Sequence, residues 1–211
     1  MLLDTHRNAP PHHQQTNTFI ALRPPRDVAE QFYARATQLC SRADIVGSQR
    51  PPSILHMTVL SIAGCRGRLP SELLEKIDAA ISMVRFSAID VVLDEAQSFA
   101  TRKANAPFVL EGDQNTDVLA LRLFAGAALC VKGHSFPARG AYTPHMTIAY
   151  ARRRSPRMKV DPFCWRAREF QLIESWVGQT KYVELARWSL RDALPCEGVP
   201  TSAGPLPITL H

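Results

Sequence analysis

With 211 residues, 45% apolar and 21% charged, the chain has ordinary globular composition and is long enough for one large domain or two small lobes. No run of 18 or more apolar residues is present, which argues against a transmembrane helix, and five scattered cysteines without a Cys-x-x-Cys pair argue against a disulfide framework or a zinc site. The net charge of +6 is concentrated between residues 151 and 168, where Arg152, Arg153, Arg154, Arg157, Lys159, Arg166 and Arg168 face a single acid, Asp161. That segment reads as a solvated, mobile basic loop, or as a field attracting a polyanion such as RNA.

Residues 1–16 hold His6, His12 and His13 without any period and read as a mobile tail. The first seven residues lack a basic stretch followed by an apolar one, so no secretory signal is expected, and reduced thiols in the cytoplasm are. A strand is predicted over 17–23, stopped by Pro24-Pro25. The spacing of Val28, Phe32, Ala36 and Leu39 predicts a helix over 26–42 with one apolar face. A loop over 47–52 leads to an apolar strand over 54–60, and a turn follows at 64–68. The next helix begins at Pro70-Ser71, with Ser71 as its cap and Leu73, Leu74, Ile77, Ile81 and Val84 as its buried stripe. Strand character returns over 86–93, continues across a bend at 97–101, and recurs over 107–111. Residues 112–115 make a turn. Thr116 caps a helix to 131 with Leu119, Leu123, Phe124 and Ala127 among its apolar positions. A loop over 133–140 precedes a strand over 142–150, and after the basic segment 169–175 and 181–190 pair as a hairpin about Gly178-Gln179. Residues 17–190 thus form one domain, and 191–211 an irregular tail.

One tetrapeptide pattern occurs twice in this layout. His56-Met57-Thr58-Val59 and His145-Met146-Thr147-Ile148 are both His-x-Thr followed by a β-branched residue, inside strand-like runs. Seven histidines and twelve threonines in 211 residues give ~0.4 such matches by chance, so the pair is informative where one copy would not be. Side chains alternate along a strand, so His56 and Thr58 share one face while Met57 and Val59 take the other. The second copy divides in the same way. Two imidazoles facing a shared space suit phosphodiester chemistry: one serves as general base, the other as general acid, near their unperturbed pKa. Thr58 and Thr147 would hydrogen-bond the phosphoryl oxygens. No carboxylate or cysteine set near either histidine suggests a metal, so neither metal nor cofactor is expected.

The paired motif resembles the signature of the two-histidine (2H) phosphoesterase superfamily, in its bacterial 2′–5′ RNA ligase / RNA 2′,3′-cyclic phosphodiesterase branch. The Phe19-Ile20-Ala21-Leu22 strand, Ile62-Ala63-Gly64, Tyr142-x-Pro144 and the run from Phe170 to Ser175 with Gly178 and Tyr182 are similar as well. The resemblance implies an α+β, bilobal fold with pseudo-twofold duplicated antiparallel sheets, helices outside and a central cleft, with both chain ends in one lobe. It also implies hydrolysis of 2′,3′-cyclic phosphate RNA ends to 2′-phosphates, with weak 2′–5′ ligation in some members, and a catalytic set of His56, Thr58, His145 and Thr147. Which histidine is acid and which is base stays open. Many relatives carry Arg where this chain has Tyr150, and Arg152 to Arg154 are candidates to replace its phosphate contact. Tyr142 and Tyr150 are candidates for stacking on a base or are ordinary strand tyrosines, and Phe19 joins them and Arg152 as candidate substrate contacts. The partner is an RNA end or a small cyclic-phosphate nucleotide, met by a monomer without a membrane. A phosphodiesterase for a 2′,5′-linked oligonucleotide and a non-catalytic RNA-binding module are the competing readings.

Overall fold

The computed structural model describes residues 10–133 and 142–191. The expectations for His6, for Cys196 and the C-terminal segment, and for most of the loop over 133–140 lie outside the described residues. In chain order the elements are β1 Gln15–Leu22, α1 Arg26–Arg42, β2 Gly47–Gln49, β3 Met57–Arg66, α2 Ser71–Ile81, β4 Ile89–Ser98, β5 Ala106–Glu111, α3 Thr116–Val131, β6 His145–Ala151, β7 Met158–Ala167, β8 Glu169–Trp176 and β9 Lys181–Ser189.

The strands form one antiparallel sheet in the order β7-β4-β5-β6-β3-β1-β8-β9, with β2 also on β6. Its middle is its thinnest seam. β3 and β6 are paired only at Met57 opposite Met146, while the neighbouring pairs run over six residues or more. The sheet therefore divides into two halves. One is β7-β4-β5-β6 and the other β3-β1-β8-β9, and the second holds the first and last strands. Each half supplies two strands joined through a helix, β1-α1-β3 and β5-α3-β6, each unit ending on a His-x-Thr strand, with α1 packed on the other half, where Phe32 meets Phe163 and Trp165 of β7. This is the duplicated α+β arrangement expected from the sequence.

Alternation sorts the two faces. Ile20, Leu22, Met57, Val59, Met146 and Ile148 point to the face on which the helices pack, where they join Phe32, Leu39, Ile77 and Leu121 in the main core. Full burial of each such side chain is worth ~1.5–3 kcal/mol. Among the described residues, the opposite face carries a small apolar cluster, Phe19, Ala21 and Ile173 with Tyr182 against it. Polar side chains can therefore stand on that face without crossing a core.

Several sequence expectations shift. Gln15 and Thr16, read as tail, begin β1. The first motif strand starts at Met57, because Pro52–Ile54 winds into a 3-10 turn, and it runs through Gly64 to Arg66 instead of turning there. The loop over 47–52 contains β2. This short strand lies so close to β6 that a Cβ at Gly47 would stand 2.1 Å from the Tyr150 carbonyl oxygen. The helices α2 and α3 begin at Ser71 and Thr116, so their capping positions are Pro70 and Asn115. Asn115 turns its amide onto the Val92 and Gly112 carbonyls and accepts from the Val92 N–H.

Two corrections are larger. The face of α3 read as its apolar stripe is the exposed one: Leu123 is 67% and Phe124 58% exposed, and Val118, Leu121, Ala125 and Leu129 are buried instead. The basic segment is no mobile loop, since most of it is β7. Its cations pair with acids of β4, of β5 and of the turn after β5: Arg157 with Glu95, Glu111 and Asp113, Lys159 with Asp94 and Glu95, and Arg166 with Asp90. Cross-strand opposite charges of this kind support a sheet and cancel much of the local field.

Candidate active site

Residues directly opposite in a sheet point to the same face. Met57 and Met146 are opposite one another and fully buried on the helix side. Their sequence neighbours must then emerge together on the other side. His56 and Thr58 from one half, and His145 and Thr147 from the other, straddle a single point of the sheet. All four are partly exposed, in contrast to the methionines between them. The four residues singled out by the repeated motif are thus brought into one place by one residue pair.

Both histidines are held by the same local bond. The Nδ1 of His56 lies 2.9 Å from the Ile54 carbonyl, and that of His145 lies 2.8 Å from the Thr143 carbonyl, two residues upstream in each case. A carbonyl only accepts, so each Nδ1 carries its proton and donates it. In the neutral ring Nε2 is then the basic nitrogen, and it is the one available to exchange a proton with a substrate. The bond also fixes ring orientation.

Their surroundings differ. His56 stacks on Phe19 with ring centroids 4.9 Å apart, and Tyr182 meets it edge-on at 5.2 Å. Walled in by these rings, the imidazole is pushed down to about 4 by burial, with Arg50, Arg23 and His145 acting in the same direction against the bond to Ile54. His145 meets the edge of Phe99 at 4.8 Å.

A cleft of about 720 Å³ opens beside this point. Its floor follows the register of the second half. Gly64, Asn17, Ser175 and Tyr182 form one row across β3, β1, β8 and β9, and Ser61 and Phe19 stand opposite one another in the next. Thr58, Arg50 and Tyr150 complete the end near the motifs. Among the described residues lining the cleft, Arg50 alone is charged.

Of the candidate substrate contacts, Phe19 and Tyr150 line the cleft, and Tyr150 is 38% exposed. Tyr142 does not: its hydroxyl donates to the Thr58 carbonyl, and the Arg122 guanidinium lies 4.4 Å over its ring. Its phenol is raised by burial. Tyr142 therefore braces the first motif strand from the start of the second. Arg152 is exposed and is not among the cleft residues; Arg153 pairs with Asp44, and Arg154 donates to the Thr101 carbonyl. Sequence reasoning missed Arg50, Tyr182 and Phe99. Arg50 stands six residues before His56, just ahead of Pro51-Pro52, and no spacing rule connects it to a motif on another strand.

No family model matches the chain, and neither does any curated relative. Among solved structures the fold is found repeatedly. TT0787 of Thermus thermophilus superposes with a TM-score of 0.65 at 20% identity, covering 83% of this chain and 98% of that one. A phosphoesterase gives 0.63 at 19% identity, over 84% of this chain and 99% of its own. E. coli LigT in apo form gives 0.62 at 19% identity, over 85% and 99%. The chain shares the fold of LigT and of this phosphoesterase. The similarity extends over nearly the full length of each of these proteins, so both halves of the sheet are included. Within the described residues, no group of three His, Cys, Asp or Glu is placed to hold a metal ion, and no helix is long and apolar enough to cross a membrane.

Proposed function

We propose that the protein is a phosphodiesterase that opens 2′,3′-cyclic phosphates at RNA ends, leaving a 2′-phosphate and a free 3′-hydroxyl. The observation that carries this reading is the Met57–Met146 pair, which gathers two His-x-Thr sets on one open face beside a cleft. One imidazole Nε2 takes a proton from the attacking water. The new P–O bond forms as the bond from phosphorus to the 3′ oxygen breaks, and the other imidazole delivers a proton to that oxygen. The hydroxyls of Thr58 and Thr147 donate to the non-bridging oxygens as charge builds there. Wall residues Phe19, Tyr150 and Tyr182 offer aromatic surface to a base. E. coli LigT has been solved with phosphate, with 3′-AMP, with ATP and with NADP+, which agrees with a nucleotide-phosphate ligand for a cleft of this kind.

The test is a short RNA ending in a 2′,3′-cyclic phosphate, incubated with the protein in EDTA beside His56→Ala and His145→Ala. The expected product is the 2′-phosphate, with each substitution lowering kcat by ~10²–10⁴-fold, the range for a positioned acid or base. Salt-sensitive RNA binding without turnover, indifferent to both substitutions, would replace this reading with a binding module.

A further inference from the structure

We infer that Arg50 is the residue that anchors the substrate's phosphoryl group in the cleft. The inference rests on the phosphodiesterase reading for the identity of the anion, while the anchoring itself is independent of turnover. Thr58 and Thr147 are neutral hydroxyls, and beyond the one protonated imidazole that the acid–base pair requires neither motif brings a cation to meet a phosphodiester's negative charge. Among the described residues lining the cleft, Arg50 is the one that is charged, and no carboxylate stands with it.

The fold commits Arg50 to this position. β2 lies antiparallel on β6, with Ser48 opposite Tyr150 and Gln49 opposite Ala149, and the Arg50 N–H then donates to the Ile148 carbonyl at 2.8 Å. That carbonyl belongs to the residue next to Thr147, so the Arg50 backbone is tied to the second motif. Its side chain serves the first: it lies near enough to His56 to lower that imidazole. The absence of a side chain at Gly47 lets β2 approach so closely. The guanidinium lies 5.7 Å from the Tyr150 ring and 5.9 Å from the Tyr182 ring, and Nη2 donates to the Tyr182 hydroxyl at 3.2 Å. Two rings and one bond limit its swing, and a planar fork of five N–H donors keeps the others for an anion.

The nearby alternatives are engaged elsewhere. Arg23 donates to the Gln171 side chain and the Ser53 carbonyl, and Arg122 donates to the Val59 carbonyl and covers Tyr142. Arg153 and Arg154 hold Asp44 and the Thr101 carbonyl. Tyr150 of β6 thus supplies a ring beside which an arginine from β2's end is held.

Titration with inorganic phosphate and with a nucleoside 2′-monophosphate, followed by calorimetry, tests this on the wild type, Arg50→Lys and Arg50→Gln. Arg50→Gln should weaken both ligands by about tenfold or more, the loss expected of a charge-assisted contact, and Arg50→Lys by less. The ligand-free His56 imidazole, followed by NMR, should titrate at higher pH in Arg50→Gln, which a merely structural role would not produce. Phosphate binding unchanged in Arg50→Gln, or absent in the wild type, would overturn the inference. Arg50-dependent binding without turnover of cyclic-phosphate RNA would sink the phosphodiesterase reading and leave the anchor standing.

Discussion

Folding acts strongly on His56. Phe19 and Tyr182 wall the ring, and burial favours its neutral form down to about pH 4. An unfolded chain would protonate the same side chain near pH 6.5. Above that value both states carry neutral His56 and its contribution to stability is full. As pH falls from about 6.5 toward 4, the unfolded chain takes up a proton that the folded chain refuses, so stability is lost across that window. Thermal unfolding against pH, compared between wild type and His56→Gln, measures it. The wild type should lose up to ~3 kcal/mol more than the variant, less in proportion to the ring's opening on the cleft. Parallel curves would mean that the ring is freely hydrated. The same low value leaves His56 a proton acceptor near neutral pH in the empty protein, and a phosphate beside it would raise its affinity for a proton.

At the scale of elements, α3 and β7 mark where pattern and packing part. α3 is apolar nearly all round, with only Asp117 and Arg122 charged, so its period points in no single direction. Arg122 faces inward, to the Val59 carbonyl and the Tyr142 ring, and rotates the outer face to Leu123 and Phe124. Leu121→Ala should then cost ~2–5 kcal/mol in chemical denaturation, and Leu123→Gln should stay within ~0.5 kcal/mol. A reversed order would place the helix the other way round. β7 buries Phe163, Trp165 and Ala167 at every second position, and its outward cations answer acids on β4, a partner more than 60 residues away along the chain. Its high positive charge is legible in the sequence, but the negative charge that meets it is not adjacent.

For the whole molecule, the decisive feature is that two halves with separate motifs meet at one residue pair. A site shared across that seam should behave as a unit. His56→Ala and His145→Ala should each abolish most turnover, and the double variant should be little slower than the slower single. Steady-state and single-turnover rates on a cyclic-phosphate RNA give the comparison, and multiplicative losses would show two independent sites. The two units are completed by strands from different parts of the chain. The β1-α1-β3 unit recruits β8 and β9 from the end of the chain, and the β5-α3-β6 unit is flanked by β4 and β7.

Much of this was written in the sequence. The repeated His-x-Thr with its β-branched follower, the strand–helix–strand unit around each copy, the boundaries of α1 and the terminal hairpin depend on neighbours within a few residues, where alternation and helical period carry the information. His56, Thr58, His145 and Thr147 were legible for that reason, and Phe19 through its place in the opening strand. Arg50, Tyr182 and Phe99 were not, because each reaches a histidine from a different strand and no local spacing encodes which strands become neighbours. Tyr142 and Arg152 were misplaced on the same ground: sequence proximity to a motif does not say whether a side chain turns to the cleft, to a backbone carbonyl or to solvent. Only the long-range register, Met57 on Met146 and β2 on β6, decided that two distant histidines share a face and that an arginine stands beside them.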